Sequence, residues 1–389
     1  MEIEIGRGKS ARQAYGFDDI AIVPSRRTRD PRDINITWEF SFRGRDYSFP
    51  LPVLGSAMDG VVDPAFAVTM GKLGGLAVLN LEGIQTRYED ADKQLDKIAG
   101  FEKHEATARM QEIYTEPVKA ELVEQRVREI KDGGVMVAAS LTPQNVERFI
   151  EPAIAGGLDI LIIQGTVVSA EHVSSYDKPL DLNAFIRDID VPVIVGGCCS
   201  YQGALHLMRT GAVGVLVGVG PGHACTSRRV LGIGVPQATA IADAAAARIR
   251  HLDETGTYCH VIADGGMRTG GDLAKAIVVG ADAVMIGSPL SSASEAPGRG
   301  YHWGMATFHP ELPRGTRVRA GVKGTLEEIL LGPAHENDGT LNLIGGLRTS
   351  MATCGYENLK AFQKAEVMIA PSLQTEGKTL QKSQGVGMC

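Results

Sequence analysis

"RTGAVGVLVGVGPGHACTSR" occupies residues 209–228, and its first half decides the fold. A helix-forming stretch ends at Thr210-Gly211, and a continuous apolar run follows at once. Glycine stops a helix because, lacking Cβ, it enters the left-handed conformation at the C-terminus. A run with no polar face is buried on both sides, as strands of a parallel sheet are. The same unit recurs in "KLGGLAVLN" (72–80), "KDGGVMVAAS" (131–140), "AGGLDILIIQG" (155–165) and "VVGADAVMIGS" (278–288).

Working outward gives eight such strands, near 52–57, 76–80, 135–140, 159–164, 192–197, 213–219, 260–264 and 283–287. Helical patterns separate them, among them "AELVEQRVREI" (120–130), "SYQGALHLMR" (200–209) and "PQATAIADAAAARI" (236–249). Eight strand–helix units predict an α/β fold, a (β/α)8 TIM barrel. A doubly wound sheet also alternates, but it usually carries GxGxxG after its first strand; here that strand ends "GSAMDG". The expected organisation is one catalytic domain over residues 1–389. Residues 1–50 form an extension packing on the barrel, 298–324 a flap after strand eight, and 373–389 a mobile tail.

Composition excludes several classes. With a net charge of -7 and no long Lys/Arg block, the chain offers no nucleic-acid surface. Its apolar runs are short and cut by glycine, so a membrane span is not expected. "MEIEIGRGKS" has no apolar core of signal type. The six cysteines show no CxxC spacing, which argues against zinc and a disulfide scaffold and for a reducing cytoplasm.

A barrel predicts that its chemistry sits at the C-terminal ends of the strands. Those ends here are glycine-rich and polar. "ADGGMRTGGD" (263–272) and "IGSPLSS" (286–292) place backbone N–H groups ahead of helices, which suits a phosphate. Asp264 can accept from two vicinal ribose hydroxyls, while Thr269 or Asp272 is better placed to cap the next helix. Gly287 and Ser288 can hold phosphate. Cys225 lies in a polar loop, where a thiolate is a strong nucleophile and the neighbouring Arg228 could lower its pKa. Ser56 and Met58 share the end of strand one. "YHWGMAT" (301–307) and the proline-rich run after it read as a mobile lid. "RYEDADKQLDK" (87–97) reads as a solvated helix face, and Cys354 and Cys389 as incidental.

These motifs resemble the IMP dehydrogenase/GMP reductase family. The resemblance runs from about 15 to 372. It is strongest in "GVGPGHACTSRRVLGIGVPQATAIADAA" (218–245), "VIADGGMRTGGDLAKAIVVGADAVMIGS" (261–288) and "LIGGLRTSMATCGY" (343–356). The stretch between strands two and three is too short for the pair of CBS modules that long members carry there, so the chain is similar to a short bacterial branch.

The resemblance implies an NAD-dependent oxidation of IMP to XMP, in guanine nucleotide biosynthesis. Cys225 attacks C2 of the purine, hydride passes to NAD, and water hydrolyses the covalent intermediate with Thr226 helping to orient it. Asp264 takes the ribose; Gly266, Gly287 and Ser288 take the phosphate. Ser56, Met58, Gly304 and Met305 complete the substrate pocket. His223 stands where the family has a serine, His302 where it has a tyrosine, and Cys198 where it has an asparagine. Gln164, in place of an aspartate, and Gly218 face the cofactor. The carbonyls of Gly220, Gly222 and Cys225 match a monovalent-cation (K+) site. The reductases' glutamate is replaced by Arg314, so Arg314 or Arg317 is the candidate for activating water. The family also implies a homotetramer. Two other functions fit the same residues: a GMP reductase using NADPH, and a purine-nucleotide-binding regulator without turnover.

Overall fold

A computed structural model describes residues 2–175, 179–370 and 381. The proposed tail and Cys389 lie outside the described residues, Gln381 apart. Eight parallel strands close into a barrel in sequence order. They are β1 (Val53–Gly55), β2 (Leu76–Asn80), β3 (Ala138–Leu141), β4 (Ile160–Gln164), β5 (Val193–Cys198), β6 (Gly214–Val217), β7 (His260–Asp264) and β8 (Ala283–Ile286). β8 closes on β1 with Val284 opposite Val53 and Ile286 opposite Gly55. Most strands fall where an apolar run follows a helix-ending glycine; β1 follows a hairpin strand and β5 a helix capped by Ile189. Gly157, after the helix Val146–Gly156, has φ 100°, a conformation that side chains rarely adopt.

Side chains alternate between two apolar layers. Ile160, Ile162, Ile194, Leu216, Ile262 and Met285 point into the barrel and fill it. Leu161, Ile163, Val195, Val215, Val261 and Val284 point outward into the helix layer. The interior therefore has no lumen. Its N-terminal end is plugged by a hairpin, Trp38–Phe42 with Arg45–Phe49, whose Trp38, Phe40, Tyr47 and Phe49 join the inner cluster. Trp38 Nε1 donates to His260 Nδ1 at 3.1 Å, which satisfies the buried indole. Val367–Ile369 pairs antiparallel with Ile20–Ile22. No helix among the described residues is long and apolar enough to cross a membrane.

Two excursions leave this frame on its C-terminal side. After β2, helices Ala91–Gly100 and Ala106–Ile113 precede the barrel helix Ala120–Asp132. After β8, the chain travels through a flap, where Tyr301–His302 pairs antiparallel with Val318–Arg319, before returning as the helix Leu343–Thr353. The excursions share a small core of Ile84, Leu95, Ile98, Met110, Tyr114 and Trp303. The run 87–97 is thus only partly a solvated face: Ala91 and Leu95 are buried.

Candidate functional site

The strand ends and the flap enclose one cavity, with roughly 1030 Å³ of empty space counted out to its mouth. Ser56, Met58, Gln164, Gly218, Gly220, Gly222, His223, Cys225, Asp264, Gly266, Gly287, Ser288, His302, Gly304, Met305 and Arg314 all line it. Residues up to 258 positions apart in sequence converge because the barrel brings every strand end to one face.

The cysteine loop is built by its own arginine. Arg228 Nε donates to the Val219 carbonyl at 3.0 Å and its Nη2 to that of Val235 at 2.7 Å. A Cβ at Gly220 would lie 2.6 Å from Arg228 Cγ, so glycine is required there for the arginine to pass. Arg228 therefore ties the loop together, and Cys225's direct polar partner is a different residue. The Cys225 thiol donates to Ser227 Oγ at 3.2 Å. That hydroxyl can turn and donate to a thiolate instead. Ser227 is 1% exposed yet lines the cavity. Thr226 does not line it; its N–H donates to the Arg314 carbonyl at 3.1 Å.

The flap meets this loop edge to edge. Cys225 and Gly315 form an antiparallel bridge, and Thr316 N–H donates to the Ala224 carbonyl at 2.9 Å. Arg314 is thereby set beside the thiol loop, with its Nε buried and without a partner. Arg317 is not an equivalent candidate. It donates to the carbonyls of Ile98, Ala99 and Phe101 and lies 4.5 Å over the Tyr301 ring, so its guanidinium is committed to the excursion after β2.

Across the cavity, Asp264 ends β7. Burial pushes its carboxyl up to about 7, offset only in part by Gln164 Nε2, which donates to Oδ2 at 3.3 Å. Thr269 caps the next helix and accepts from Asp272 N–H, while Asp272 accepts from Arg268 N–H. Asp264 is therefore not needed as a cap. The Gln164 Oε1 is buried and unpartnered, a fit for an amide or hydroxyl donor on a ligand. Gly218 has a nearer constraint than any ligand: a Cβ there would fall 2.1 Å from the Asp264 carbonyl oxygen.

At the end of β8, Ser288 Oγ lies 2.7 Å from His302 Nε2, and Ser291 Oγ lies 3.2 Å from Nδ1. His302 is 1% exposed, and burial with His223 nearby lowers it to about 4, so the ring is neutral. Burial and Arg268 likewise lower His223. Gly287 admits Met58, whose sulfur would sit 2.7 Å from a Cβ. Cys198 points away into the core, where its thiol donates to the Leu216 carbonyl and burial raises it to about 12, leaving it unreactive. Sequence reasoning passed over Ser227 and Thr166, although each lies within two residues of a residue it did single out.

A filled parallel barrel with a thiol loop, a buried acid and an inserted flap around one cavity has the layout of a (β/α)8 small-molecule site. Residues 14–379 match the sequence model of the IMP dehydrogenase / GMP reductase domain, and the chain belongs to that family. An uncharacterized oxidoreductase of Mycolicibacterium smegmatis is 46% identical over 376 residues, covering 94% of this chain and 99% of that protein. An inosine-5'-monophosphate dehydrogenase of Methanocaldococcus jannaschii is 26% identical, covering 94% and 95%. Among solved structures, an IMP dehydrogenase/GMP reductase-like protein from Corynebacterium glutamicum superposes with a TM-score of 0.89 at 44% identity, covering 95% of this chain and 97% of the other.

Proposed function

We propose that the chain is an IMP dehydrogenase, oxidising IMP to XMP with NAD. The observation that carries this is the convergence of Cys225, Asp264, Ser288 and Arg314 on one cavity. In this reading Asp264 accepts the ribose hydroxyls, while Ser288 and the amides near Gly266 and Gly287 hold the phosphate. Cys225 Sγ, with Ser227 3.2 Å away to stabilise the thiolate, adds to C2 of the purine ring. NAD supplies the acceptor for the hydride that leaves C2. Water then adds at C2, the C–S bond breaks, and the thiolate returns. Arg314, with an unpartnered donor beside the loop, orients that water, and Thr226 supports Arg314 through its backbone. Gln164 offers its free Oε1 to the nicotinamide half of the cofactor. The loop carbonyls of Gly220, Gly222 and Cys225 are the candidate K+ ligands, although the Gly222 carbonyl already accepts from Cys225 N–H at 3.1 Å. A homotetramer in the cytoplasm is the assembly and location that accompany this reading.

The test is direct. Purified protein is mixed with IMP and NAD, and separately with GMP and NADPH, while nicotinamide absorbance is followed. NADH appearing only in the first mixture supports the dehydrogenase; NADPH consumed only in the second overturns it in favour of the reductase. Silence in both, with nucleotide bound in calorimetry, favours a regulator. Cys225→Ala should abolish turnover and keep binding; activity surviving in that variant refutes the covalent route.

A further inference from the structure

The excursion after β2 touches the flap at several points between Arg299 and Arg317. Trp303 stands between His302 and Gly304, both in the cavity wall, and is itself 2% exposed. Its Nε1–H donates to Tyr114 Oη at 2.8 Å. The Tyr114 hydroxyl in turn donates to Asp59. Asp59, 2% exposed and next to the cavity residue Met58, also accepts from Ile84 N–H at 3.1 Å and from Asn80 Nδ2 at 3.4 Å. Further along the flap, Phe308 stacks on the Tyr114 ring with centroids 3.4 Å apart and planes 5° apart. Gln111 Nε2 donates to the His309 carbonyl at 3.0 Å, and Arg317 is held by the carbonyls of residues 98–101.

The polarity of this chain of hydrogen bonds is fixed by its members. An indole N–H can only donate, and an ionised carboxylate can only accept. Tyr114 has one hydrogen; with Asp59 taking it, the phenol lone pairs are left facing Trp303. Burial raises Asp59, and the donors around it oppose that rise. The backbone is built around the carboxylate, since a Cβ at Gly83 would lie 1.8 Å from Asp59 Oδ1. None of these groups takes part in the proposed chemistry.

We propose that Tyr114 is a positioning residue: through the Asp59–Tyr114–Trp303 chain, the helical segment after β2 acts as a fixed strut that sets the flap over the cavity. The activity part of its test rests on the dehydrogenase reading; the placement of the flap does not. Tyr114→Phe removes one oxygen and keeps the ring stack. It leaves the buried Trp303 donor without an acceptor, which is worth about tenfold in the equilibrium holding the flap down.

Trypsin digestion of the ligand-free protein measures that equilibrium at Arg314, Arg317 and Arg319. Cleavage in Tyr114→Phe should run about tenfold faster than in wild type, as the open population rises. Trp303→Phe should match it, and the double variant should lose no more than either single one, because both break the same link. Tyr88→Phe is the control. Its hydroxyl donates to the Ile113 carbonyl at 2.7 Å within the same segment and does not reach the flap. In turnover of IMP, kcat should fall in Tyr114→Phe with KM for IMP moving less than about threefold, since Asp264 and Ser288 are untouched. Wild-type cleavage rates in Tyr114→Phe overturn the proposal. So does equal acceleration in Tyr88→Phe, or a double variant showing the product of two independent effects. Because proteolysis needs no substrate, these outcomes decide the role of Tyr114 even if the dehydrogenase assay fails.

Discussion

If Asp264 takes ribose hydroxyls, nucleotide affinity must follow its ionisation. Burial holds the carboxyl at about 7 in the free protein, against 3.8 ordinarily. Hydroxyls donate to the charged form, so binding has to expel the proton. At pH 6 about nine-tenths of a group with that pKa is protonated, and each unit below 7 costs about tenfold in affinity. The nucleotide phosphate titrates near 6 as well. Asp264→Asn therefore serves as the reference, and the ratio of wild-type to Asp264→Asn affinity isolates the carboxyl. Calorimetric titration with IMP at pH 6 and pH 8, in two buffers of different ionisation enthalpy, should show that ratio rising about tenfold toward pH 8. Per IMP bound, wild type should release about 0.9 more protons than Asp264→Asn at pH 6, and about 0.1 more at pH 8. The sign for stability is opposite. The folded pKa is raised, so the folded free protein holds the extra proton between about 4 and 7, and stability is lost as pH rises through that window. The melting temperature of Asp264→Asn should exceed wild type at pH 8, and the gap should close only below about pH 4. A ratio that stays flat from pH 6 to 8 refutes the assignment of Asp264 to the ribose.

Two further outcomes follow from backbone and charge. Gly218→Ala should keep the fold, measured by circular dichroism, but weaken IMP binding by about a hundredfold, because its Cβ must displace the Asp264 carbonyl. At the opposite end of the barrel, Asp282 is 2% exposed and accepts from Arg248 at 2.9 Å, Tyr258 at 2.9 Å and Val261 N–H at 2.8 Å, with Lys360 alongside. Arg248→Met removes one of the two cations on that carboxylate, leaving Lys360, and strips the Gly280 carbonyl of its donor; urea unfolding should show a loss of about 1–3 kcal/mol, with KM for IMP unchanged well below the transition.

The barrel was legible because its signals are local. An apolar run after a glycine names a strand without reference to anything distant, and the glycines at 74, 134, 157, 211 and 280 all have φ between 76° and 121°. The cavity residues were legible for the same reason: a barrel turns "end of a strand" into "wall of the site". What the sequence hides is partnership. Asp59 reads as one letter in "SAMDG", and its partner Tyr114 lies 55 residues on, with Trp303 another 189 beyond. Arg228 looks like an activator of its neighbour Cys225, and only the folded loop shows it turned toward the carbonyls of Val219 and Val235. Arg314 and Arg317 are alike in sequence; one faces the cavity and the other a helix end, a difference set by the pairing of Tyr301–His302 with Val318–Arg319.

The bridge between Cys225 and Gly315 has a kinetic meaning. Residues 314–316 cannot lift without surrendering the hydrogen bonds that hold residues 224 and 226 on either side of the sulfur. Admission of solvent and loosening of the nucleophile are then a single event rather than two. The thiol itself is half-buried and lines the cavity, so a small alkylating reagent reaches it through the mouth with the flap in place, whereas a bulky one needs the flap to lift. Small thiol reagents would report how reactive Cys225 is with the flap down, and bulky ones how often the flap lifts.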